Sequence, residues 1–63
     1  MSTLILNPNI DGPDDFYEAL LSAHDGLTKA QSDAMNARLI LVLANHIGDR
    51  EVLSQALATA AAR

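Results

Sequence analysis

His24, Asp25, His46 and Asp49 are the side chains of this sequence best suited to chemistry, because two imidazoles and two carboxylates could form a divalent-cation site or an acid–base pair. The set is thin for either task. With two His and no Cys in the chain, carboxylates would have to complete any metal shell. Each member also has a structural use where it stands. His24 and His46 fall in the last turns of helical patterns, where positive charge is favoured. Asp25 lies at a helix end, and Asp49 is placed to cap the next helix.

Nucleophilic chemistry is no better provided for. Ser22, Ser32 and Ser54 lack the flanking glycines of a nucleophile elbow. Gly12, Gly26 and Gly48 each stand at a helix boundary rather than in a phosphate-binding loop. A 63-residue chain also has little material with which to wall a ligand pocket of roughly 300–1,000 Å³ and still keep a core. The sequence therefore predicts no catalytic residue, no metal ligand and no cofactor site, hence not an enzyme. The alternative it leaves open is a small ligand- or metal-binding protein using His24 and His46.

Three helical segments must position whatever function there is. Residues 1–10 hold an apolar patch, Leu4, Ile5 and Leu6, followed by Asn7-Pro8, which disfavours helix, so they read as an extended arm. That arm lies across the helices or inserts into a partner. The first helix is expected over 13–25, with Gly12 as N-cap, Pro13 at its first position and Asp14, Asp15 and Glu18 near its positive end. Phe16, Ala19, Leu20 and Ala23 share one face of it. The second, over 29–47, opens on Thr28-Lys29-Ala30-Gln31, a capping box, and stops at Gly48. The third, over 50–62, follows Asp49 and presents Val52, Leu53, Ala56, Leu57 and Ala60 on one side. Glu51, Gln55 and Thr59 are expected to face water.

The middle helix carries the argument about function. Ala30, Ala34, Ala37, Ile40, Leu41, Ala44 and Ile47 make one broad apolar surface, while Met35, Leu39, Val42 and Leu43 make another, with Gln31, Arg38 and Asn45 as a polar strip. A helix apolar on two sides must be covered on two sides. Two short neighbours in a small all-α three-helix antiparallel bundle leave one side uncovered. The candidate partner-interface residues are accordingly Met35, Arg38, Leu39, Val42, Leu43 and His46, with Tyr17 contributing from the first helix.

Composition bounds the rest. A mass of 6.7 kDa implies roughly 9,700 Å² exposed when unfolded and roughly 3,900 Å² when folded compactly. If about 60% of the buried difference is apolar, the gain is on the order of 85 kcal/mol, which the ordering entropy of about 55 residues offsets almost completely. A partner or a second copy would tip the balance. The net charge of −4, with Lys29, Arg38, Arg50 and Arg63 unclustered, argues against nucleic acid. The longest apolar run, residues 39–44, is far short of a membrane span, and the absence of cysteine fits a cytoplasmic setting. Charge is also uneven: residues 1–28 hold five acids and no base, whereas residues 29–63 hold four bases and three acids.

The run Asp14-Asp15-Phe16-Tyr17-Glu18, then His24-Asp25-Gly26-Leu27, Gln31-Ser32 and the stretch from Asn36 through Asp49 resemble a family of very small bacterial proteins of unknown function. The resemblance implies a gene neighbourhood beside FAD-dependent monooxygenases of aromatic compounds, and so an accessory or stabilising subunit. It brings no catalytic residues. Residues and resemblance together lead to one expectation. The chain is a single non-catalytic helical domain for protein–protein interaction, either a homodimer or an accessory subunit of a metabolic enzyme.

Overall fold

The computed structural model describes residues 3–62, so Met1 and Ser2 of the expected arm, and the cation Arg63, lie outside the described residues. Three helices follow one another: α1 (Pro13–His24), α2 (Lys29–Ile47) and α3 (Arg50–Ala61). There is no strand among the described residues, and the chain is a small all-α protein.

Local chemistry sets each boundary. Pro13 occupies the first turn of α1, where its missing N–H costs nothing, and Asp14 and Asp15 sit at the positive end of the helix dipole. The α2 start is closed by a reciprocal pair of bonds: the Gln31 N–H donates to Thr28 Oγ1 at 3.2 Å, and the Thr28 N–H donates to Gln31 Oε1 at 3.0 Å. One turn on, Lys29 Nζ donates to Asp33 Oδ2 at 2.8 Å, an exposed pair that contributes little. Thr28→Ala removes the cap acceptor and is expected to destabilise the protein by about 1 kcal/mol, read as a lower urea midpoint with faster amide exchange confined to the first turn of α2.

Two residues join α2 to α3. Gly48 adopts φ 70°, a left-handed conformation that side chains disfavour, and its N–H donates to Ala44 O at 2.8 Å. Asp49 then caps α3, its Oδ1 accepting from the Val52 N–H at 3.0 Å. This short hinge fixes the direction in which α3 leaves α2, and the two helices touch.

The arm is tied to the other end of the fold. The Leu4 N–H donates to Gln55 Oε1 at 3.1 Å, across 51 residues of sequence, and Leu4 is half-buried. Gln55 is thus half-buried rather than on a water-facing side, while Glu51 and Thr59 remain exposed. The reason is the acceptor an extended backbone needs: a neutral primary amide supplies it without desolvating a charge. Gln55→Ala is expected to loosen the arm, with amide exchange at Leu4 speeding about fivefold for a lost hydrogen bond of about 1 kcal/mol.

The helices do not close over a shared core. No described residue is buried, and the chain exposes 5621 Å², against roughly 3,900 Å² for a compact protein of its mass. Its radius of gyration is 13.5 Å, against about 11 Å for a compact chain of this length.

Candidate interaction surface

The apolar faces of α2 meet α1 on one side and α3 on another, and both seams stay open. Toward α1, Met35 and Leu39 line a groove with Phe16, Ala19, Leu20 and Ala23. Here Leu20, Met35 and Leu39 are half-buried, so part of this face has an internal neighbour. Leu27 and Ala23 continue the seam toward Gln31, Ala34 and Arg38.

Toward α3 the opening is larger and wholly aliphatic. Ile40, Leu43, Ala44 and Ile47 from α2 face Leu53, Ala56, Leu57 and Ala60 from α3 across a groove of about 470 Å³. Leu53, Ala56 and Ala44 are half-buried. The larger side chains beside them are not: Ile40 is 64% exposed and Leu57 72%. Leu43 and Ile47 are also exposed. Ile40 and Leu57 have well over half of their surface still to bury if another protein sat in the groove, and Leu43 and Ile47 have nearly half.

The residues that the sequence singles out are therefore distributed rather than gathered. Met35 and Leu39 line the α1 seam, Leu43 the α3 groove and Arg38 the short seam beside Leu27. Val42, His46 and Tyr17 are exposed and line none of these openings. The α3 half of the groove, above all Leu57, is not among the residues that the sequence singles out. Its signal was present in the spacing of Leu53, Ala56, Leu57 and Ala60, which recur at helical intervals on one face. The same spacing fits a face that covers its neighbour, and the angle at the Gly48–Asp49 hinge decides between the two.

The groups suited to chemistry are placed as follows. His24 is half-buried at the end of α1, and His46 is exposed in the last turn of α2. Asp25 is the exposed C-cap residue of α1, and the Asp49 carboxylate holds the α3 N-terminus. Among the described residues no three of His, Asp and Glu come together as a metal-ligand group. Likewise no described helix is long and apolar enough to cross a membrane.

The model of a family described as "Protein of unknown function (DUF2783)" fits residues 4–62. No curated protein and no solved structure matches the chain.

Proposed function

The chain belongs to the DUF2783 family, and we propose that it is a non-catalytic helical module for protein–protein interaction whose hydrophobic core is completed by another polypeptide chain. The observation that carries this reading is the exposed surface of 5621 Å² with no buried residue among those described. That is roughly 1,700 Å² more than a compact protein of this mass exposes. Exposed aliphatic side chains gathered on one face, such as Ile40, Leu43, Ile47 and Leu57, drive either association or aggregation. The α2–α3 groove supports the reading further, because Ile, Leu and Ala offer contact area and no acid, base or nucleophile.

Such a module works in the cytoplasm, on itself or as the accessory subunit of a metabolic enzyme. A flavin-dependent monooxygenase of aromatic compounds is the enzyme class the sequence resemblance brings forward. Equilibrium unfolding with light scattering tests the module reading. The expected result is that the isolated monomer melts without a sharp transition, while cooperative unfolding accompanies a complex. A monomer that unfolds cooperatively, at a midpoint independent of concentration and with a stability of about 5 kcal/mol or more, would overturn it.

A further inference from the structure

We infer that the α2–α3 groove seats the same groove of a second copy of this chain, an inference that rests on the interaction-module reading and names its partner. Three observations converge on a copy. The first is area. The whole chain, polar and apolar surface together, exposes roughly 1,700 Å² more than a compact protein of its mass, and a pair that covered most of this excess on both chains would fall in the range of about 2,000–5,000 Å² that obligate homodimers bury. Their interfaces resemble a core cut in half, as this aliphatic groove does.

The second is shape. A two-fold contact uses one patch on both sides, so that patch must hold the ridges and also the hollows that receive them. The groove has both: Ile40, Ile47 and Leu57 project beside Ala44, Ala56 and Ala60.

The third is charge. Two copies of a chain with net charge −4 repel unless they meet through a neutral part. The five acids of residues 1–28 include four on or beside α1, at Asp14, Asp15, Glu18 and Asp25, whereas residues 29–63 sum to +1 and, among the described residues, no charged one lines the groove. Pairing through α2 and α3 brings the nearly neutral halves together. Pairing through α1 would bring the acids together.

Two variants matched in exposure test the assignment. Leu57 lies in the groove and is 72% exposed, while Leu41 lies outside it and is 70% exposed. The wild-type chain is expected to have the mass of two chains by light scattering at high micromolar concentration. Leu57→Glu should shift it to one chain, and Leu41→Glu should leave it paired. Since the isolated monomer is marginal, Leu57→Ala provides a folded comparison. It should raise the dimer dissociation constant about 100-fold, from about tenfold for each of two symmetric sites, with helical content at high concentration unchanged.

A wild-type chain of single mass overturns the pairing. If that monomer melts without cooperativity, the module reading survives with a different partner; if it melts cooperatively at a fixed midpoint, both fall. A dimer that tolerates Leu57→Glu and Leu57→Ala, or that dissociates equally on Leu41→Glu, overturns the groove assignment alone.

Discussion

Diluted a hundredfold, this protein is expected to lose about 10 °C of thermal midpoint, with its far-ultraviolet helical signal falling at fixed temperature. The argument is mass action. A hundredfold change in partner concentration is worth about 2.7 kcal/mol to a folded complex. Unfolding two chains of this length releases entropy at about 2.1 cal/mol/K for each residue, and the ratio gives about 10 °C. A protein that closes its own core would show no such dependence. The effect is expected because folding without a partner leaves Ile40, Leu43, Ile47 and Leu57 exposed, so too little apolar area is removed from water to offset the ordering of the backbone. Circular dichroism melts over that concentration range make the check, and coincident curves would refute it.

Leu57→Glu should reproduce the dilute behaviour at any concentration. Leu41→Glu should keep the concentration dependence, since Leu41 lies outside the α2–α3 groove although it is about as exposed as Leu57.

Helix identity was legible in the sequence because the signals are local. The Thr28-to-Gln31 capping box is present as two bonds, Pro13 opens α1, and Gly48 ends α2 with positive φ. Each depends on residues within a turn of one another, which sequence spacing specifies. The shortage of cover for α2 was legible too, since its apolar positions span more of its circumference than two short helices can cover. Which side stays uncovered was not. Leu39 and Leu43 share a sequence-defined face, yet Leu39 is half-buried toward α1 and Leu43 is exposed toward α3. The direction of α3 depends on backbone torsions at Gly48 and Asp49, and no periodicity encodes them. Gln55 makes the same point. Its position on α3 suggested a water-facing side chain, and only the return of the arm across 51 residues makes it an acceptor for Leu4.

Leu39→Glu separates the two seams of α2 and carries the second large effect. The residue packs in the groove formed with Phe16, Leu20 and Met35, and α1 brings Asp15 and Glu18 on the same short helix. A glutamate there loses part of the roughly 1.5–3 kcal/mol that full burial of leucine provides, and it adds a negative charge to the most acidic segment of the chain. The expected cost is about 2 kcal/mol, confined to the α1 attachment. Amide exchange should then lose protection along α1 while α2 and α3 keep theirs, and light scattering should still give the mass of two chains. The opposite pattern, a halved mass with α1 protection intact, would move the partner contact onto Met35 and Leu39. Loss of protection in all three helices with the mass halved would mean that α1 supports the groove it does not line. Measured together on one variant, exchange and mass thus decide which face of α2 belongs to its own chain and which to another.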